Sequence, residues 1–267
     1  MKSNFDIIKT VFSLKGKGLI KITFYLTITT LFISFIYIIL FAGEYQRILN
    51  NPTDTFLFEQ FFYKILLFGP LLNALLIAPL FWGIEIMSLR NIREEKGAFN
   101  ISHIFDGFRD WKRVTFTLLL RSILIFLWSL LFIIPGVIKS LSYAMTSYIL
   151  HDCPNFSYGS AISLSDKMMH GYKMKLFGLV CIIILFAFGI IYVTTVFAEI
   201  ILTIIFYAVA TTPIALFSSI IITVILRTAV SCLAYALSYY SFANFYEELK
   251  KEHASWLNSE VNISEIS

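Results

Sequence analysis

The sequence predicts an all-α, polytopic helical membrane protein. It reads as one integral membrane domain over residues 1–267, with about six transmembrane helices and three amphipathic helices on the cytoplasmic interface. Three observations lead there. Long segments are almost free of charge: Lys21 is the one charged residue between Leu19 and Gly43, Glu85 the one between Ile65 and Leu89, and only Glu199 and Arg227 interrupt Phe177 to Tyr246. Charged residues make up 14% of the chain, against about 25% in ordinary soluble domains. Finally, the basic residues cluster. Lys2, Lys9, Lys15 and Lys17 precede the first apolar run, Arg90 to Arg113 fill one connection, Lys167 to Lys175 another, and Lys250 and Lys251 follow the last run. Short loops rich in Lys and Arg stay on the cytoplasmic side, so both termini are expected there. The charges are spread over four segments rather than gathered in a stripe, which argues against a nucleic-acid partner and for attraction to anionic lipid.

Phe5, Ile8, Val11 and Phe12 share one helical face, which predicts a short amphipathic helix on the inner surface. The glycines of Lys15-Gly16-Lys17-Gly18 mark a turn into the first span, near 19–43. An outer loop over 44–63 holds the turn signal Asn51-Pro52 and the interfacial aromatics Phe61, Phe62 and Tyr63. A second span follows near 64–88, with kinks expected at Pro70 and Pro79. Over 100–113, Ile101, Ile104, Phe105, Phe108 and Trp111 recur at helical spacing, predicting a second interfacial helix capped by Asn100 or Ser102. The third span is expected near 114–134 and contains Arg121.

Pro135-Gly136 then turns the chain into a fourth span near 138–151. A third interfacial helix is expected from Ser157 to His170, with Tyr158, Ala161, Ile162, Met168 and Met169 as its apolar face and Gly171 as its end. From 174 to 247 two crossings would average about 55 Å of helix each, longer than a bilayer. Spans near 174–196 and 222–246 are therefore expected, with the piece between them re-entrant, interfacial or a helical extension. The polar stretch 252–267 reads as a frayed tail, and the three cysteines as free thiols.

One block is distinctive: Leu130-Leu131-Phe132-Ile133-Ile134-Pro135-Gly136-Val137-Ile138-Lys139-Ser140-Leu141-Ser142-Tyr143-Ala144-Met145, then Tyr148-Ile149-Leu150 and Asp152. With Ala161-Ile162, Ser165, Met169, Gly171, Leu176-Phe177, Leu14-Lys15-Gly16-Lys17 and Phe245-Tyr246-Glu247-Glu248-Leu249, it resembles the bacterial integral membrane proteins called domain of unknown function 975 (DUF975). The resemblance implies a polytopic protein of roughly six spans and no assigned activity. It marks Pro135, Gly136, Lys139, Tyr143, Asp152 and Gly171 as motif positions, read as structural. Ser160 departs from the family's acidic residue at that place.

Glu85 and Arg121 are the candidate intramembrane polar or transport residues, because ionisable groups in lipid are expensive and often mark substrate paths. The plainer reading puts Glu85 near the inner interface and lets Arg121 snorkel to the same side, where the two could pair. Pro135-Gly136 with Lys139 could instead form a broken-helix binding site. No nucleophile elbow, phosphate loop or zinc-protease helix is present, and His151-Asp152-Cys153 has no second cluster at metal-ligand spacing. No cofactor, metal or catalytic residue is expected. The leading functional expectation is a non-enzymatic membrane scaffold or accessory subunit binding lipid or another membrane protein. A transporter or permease is the alternative, and an intramembrane lipid-modifying enzyme a distant third.

Overall fold

The structure, a computed structural model, describes residues 2–14, 16–50, 56–57, 59–64, 73–95, 98–209 and 213–254. Among these every regular element is helical. The longer helices are α1 (Asn4–Leu14), α2 (Gly16–Asn50), α3 (Ala78–Ile92), α4 (Asp106–Arg109), α5 (Trp111–Leu131), α6 (Ile133–Ser142), α7 (Thr146–Asp152), α8 (Tyr158–Met168), α9 (Lys173–Val209) and α10 (Pro213–Glu252). Among the described residues, five helical stretches are long and apolar enough to cross a membrane: Gly18–Gly43, Leu75–Ile92, Trp111–Leu131, Ile133–Asp152 and Lys173–Phe197.

Two stretches are central and three peripheral. In their most apolar windows, 44% of the residues are buried in Leu75–Ile92 and 50% in Ile133–Asp152, against 12% in Gly18–Gly43 and 17% in each of the other two. α10 packs along both α9 and α2. It runs antiparallel to α2: Gly18 lies against Tyr240, and Thr30 Oγ1 against Cys232 Sγ at 3.8 Å. The packed core sits at one end of the bundle, the basic end, where Lys2 pairs with Glu248. There Ile86, Leu89, Met145, Tyr148, Met168, Leu176 and Phe245 interlock. At the opposite end the tip between α5 and α6 is bare, with Phe132, Ile133 and Ile134 each at least 73% exposed.

Several expectations are corrected. The break before α6 falls at Phe132, in extended conformation, rather than at Pro135. Pro135 sits in the first turn of α6, where its missing N–H costs nothing. Gly136 is there for close approach: any Cβ would strike Ser129 of α5. The fourth apolar run is not one helix. It breaks at 143–145 between α6 and α7, and Ser165 of α8 patches the break, donating to Ser142 O at 2.8 Å and accepting from Met145 N at 3.2 Å. The segment 100–113 is likewise discontinuous: a 3-10 turn over Ile101–Phe105 capped by Asn100, then α4, then a bend at Asp110 before α5. Pro79 follows a π turn over Asn73–Ile77, which absorbs the kink. Pro70 lies outside the described residues.

α1 does not lie across the bundle. Asn4 Nδ2 donates to Lys175 O, and the Phe12 ring meets Phe186 at 5.8 Å, so α1 runs beside α9 for about two turns with Ile7 and Val11 buried. α8 also packs inward through Ala161, Ile162, Met168 and the adjoining Met169, whereas Tyr158 stays exposed and meets Phe116. α9 and α10 continue far past a bilayer's thickness, at about 55 and 60 Å. The described part of the piece expected between the last two spans, up to Val209 and from Pro213 on, is therefore helical extension. Part of the expected tail is also helical, since α10 reaches Glu252; residues 255–267 lie outside the described set.

Candidate functional site

Two polar layers are stacked at the basic end. The lower is an ion-pair lattice centred on Asp152, the last residue of α7, whose side chain is 10% exposed. Arg93, just past α3, grips both of its oxygens at 2.8 Å. Lys250 reaches Oδ2 at 2.6 Å and Tyr246 donates to it at 3.0 Å, both from α10. Arg93 also binds Glu247 through Nε at 2.7 Å. Alongside, Arg90 binds Asp106 at 2.6 Å, and His103 Nδ1 lies 2.9 Å from the same oxygen. His151 links the halves, with Nδ1 3.2 Å from Asp152 and Nε2 3.4 Å from Arg90. His151 and Asp152 thus meet where α7 ends. Among the described residues no group of three or more His, Cys, Asp or Glu could hold a metal ion.

The lattice joins α3, α4, α7 and α10, and it sets two proton affinities. Burial pushes the Asp106 carboxyl up, but the hydrogen bonds from Arg90 and His103 outweigh it and hold the group below its usual range. Burial likewise works against the Arg93 charge, and Asp152 and Glu247 overcome it, so that Arg93 stays charged. A carboxyl depressed on folding stabilises the protein above its unfolded value, near pH 4, and that contribution is lost as pH falls through the lower folded value. We expect melting temperature to fall on acidification below about pH 4, and to fall less steeply in Asp106→Asn; thermal unfolding across pH 2.5–6 (roughly, bracketing the carboxyl range) reads this directly.

The upper layer is a cavity of about 570 Å³ enclosed by α3, α5, α6, α7, α9 and α10. Glu85 enters its wall from α3, Arg121 from α5, Ser147 from α7, and Ser238 and Tyr239 from α10. Arg121 Nη1 donates to Ser147 Oγ at 3.3 Å. The remaining wall is largely apolar: Leu118, Ile125, Leu141, Leu176, Val180 and Phe242. On the basic side the cavity is closed. Trp82 Nε1 donates to Ser147 O at 3.2 Å, Tyr148 Oη donates to Tyr239 O at 3.3 Å, and the Tyr148 ring stacks on Tyr246 at 5.2 Å. Toward the other end its rim carries exposed Ser122 and Tyr235, the latter 58% exposed.

The structure therefore brings Glu85 and Arg121 to one cavity. It places Asp152 in the lattice, as its hub. Lys139 and Tyr143 flank a separate pocket on the outer face of α5 and α8. Pro135 and Gly136 belong to the α5–α6 hairpin, and Gly171, with φ +83°, to the turn between α8 and α9. Arg93, Glu247, Tyr246, Ser147 and Tyr239 are functional-site residues that sequence reasoning missed. Tyr246 and Glu247 stood in a block noted only for resemblance, and no spacing rule links position 93 to 152 and 247. No family profile, curated protein or solved structure matches this chain.

Proposed function

We propose that this chain is a non-enzymatic, multi-pass protein of the bacterial cytoplasmic membrane that holds a lipid-like amphiphile in the Glu85–Arg121 cavity, as an accessory or scaffold component. In this reading α10 is the sixth crossing, the basic end faces the cytoplasm, and both termini lie there. The chain remains a proposed member of DUF975, from which no activity follows. The observation that carries the reading is the pairing of an acidic and a basic side chain, Glu85 and Arg121, in one largely apolar cavity. Glu85, Arg121, Ser147, Ser238 and Tyr239 supply charged and hydroxyl groups within a lining otherwise dominated by Leu118, Ile125, Leu141, Leu176, Val180 and Phe242. A headgroup held by the polar groups, with its chain against the apolar ones, matches that mixed lining. The volume falls within the range of small-molecule sites, about 300–1,000 Å³, so it accommodates a headgroup and the upper part of a chain rather than a whole lipid.

The permease reading shares the same two residues but requires a path through the floor. Trp82, Tyr148 and the Arg90–His151–Asp152 lattice obstruct that path, which favours binding over passage. Native mass spectrometry of protein extracted in nanodiscs from its own membrane tests the proposal. One defined amphiphile should remain at fixed stoichiometry. Arg121→Gln and Glu85→Gln should each lower its occupancy roughly tenfold or more while the protein stays folded, as expected for losing a charged hydrogen-bonding group. Retention of bulk lipid alone by the wild type, or of a second polypeptide with the cavity empty, would overturn it.

A further inference from the structure

A second pocket, of about 830 Å³, lies outside the cavity, between α5, α8 and the start of α9. Leu120, Leu124 and Ile162 form one side; Asp166, Lys167, His170 and Lys173 form the other. Asp166 is shared by two lysines from different elements, Lys139 of α6 at 2.9 Å and Lys173 of α9 at 3.1 Å. Lys139 is also held over two aromatic faces, 5.5 Å from the Trp128 ring centre and 5.4 Å from that of Tyr143. These contacts fix the ammonium group without neutralising it.

One carboxylate cannot balance two ammonium groups. Each ammonium carries three donors, so hydrogen-bonding capacity is left after Asp166 is served. A net positive pocket beside hydrocarbon is costly unless an anion completes it. Exposed Leu127 and Phe116 extend the apolar side along α5. We propose that this pocket seats the phosphate of an anionic phospholipid headgroup, with Lys139 and Lys173 as its ligands and the acyl chain laid along Leu120 and Leu124. Basic pockets between helices near the cytoplasmic interface are a recurrent way of recognising such headgroups. This site rests on the membrane reading but shares no residue with the Glu85–Arg121 cavity.

The test uses the full chain in phosphatidylcholine nanodiscs doped with phosphatidylglycerol, with retained lipids counted by native mass spectrometry. Wild type should keep phosphatidylglycerol in preference to phosphatidylcholine. Lys139→Gln with Lys173→Gln should reduce that retention at least about tenfold, the effect of two interfacial charges. Asp166→Asn removes the competing carboxylate and should raise retention, the opposite of what a folding defect would do. Equal retention of the two lipids by wild type, or unaltered preference in the folded double variant, would overturn the proposal. Displacement by millimolar inorganic phosphate would also overturn it, in favour of a soluble phosphate ligand.

Discussion

Asp152→Ala should destabilise the folded protein by about 3 kcal/mol, the cost of leaving buried partner charges without their counterion. Asp152 is where three elements meet. Arg93 approaches from the end of α3 with two parallel hydrogen bonds, and Lys250 and Tyr246 from the last turns of α10. Alanine would strand Arg93, whose side chain is 22% exposed, beside Glu247 alone. At about 2–4 °C per kcal/mol, the melting temperature in nanodiscs should fall by roughly 10 °C. Arg93→Lys should also be destabilising, because an ammonium cannot make the two-pronged contact with Asp152 while bonding Glu247. A melting temperature for Asp152→Ala within a degree or two of wild type, on the scale of a surface substitution, would mean that the lattice is solvated and contributes little.

The contrast between legible and hidden features follows from how far each signal reaches along the chain. Hydropathy is local, and the apolar runs of α2, α5 and α9 were visible for that reason. It reports bilayer thickness, however, not helix length. α9 continues to Val209 because nothing before the Thr211-Thr212-Pro213 segment stops it, and Pro213 then opens α10 at a position suited to proline. The break at Tyr143-Ala144-Met145 contains no breaker residue. It exists because Ser165, about twenty residues later, supplies the missing hydrogen bonds. Periodicity over 100–113 found the exposed apolar residues Ile101, Phe105 and Trp111 but implied a continuity that the bend at Asp110 denies. Glu85 and Arg121 stood out because charge in an apolar run is conspicuous. Arg93 did not, because it was one cation among many in a basic loop, and its partners lie 59 and 154 residues away.

Gly83→Ala should be the most damaging single-methyl change in the membrane-spanning helices. An ideal Cβ at Gly83 would stand 2.7 Å from His103 O and 2.8 Å from the carbonyl carbon of Ile104. Both obstacles are backbone, so no rotamer change relieves them. α3 must move away from the 3-10 turn, and that turn leads directly into Asp106, the partner of Arg90 one and a half to two turns further along α3. Alanine in a helix interior gains about 1 kcal/mol over glycine, whereas overpacking a closed contact costs typically 1–3 kcal/mol and occasionally more. The clash should therefore win, and the Arg90–Asp106 pair should loosen with it. Gly43→Ala is the matched control: its Cβ would meet nothing within 4 Å, so only the propensity gain remains. Thermal unfolding should place Gly83→Ala below wild type and Gly43→Ala at or above it. A Gly83→Ala protein at least as stable as wild type would show that the contact between α3 and the 101–105 turn is not closed.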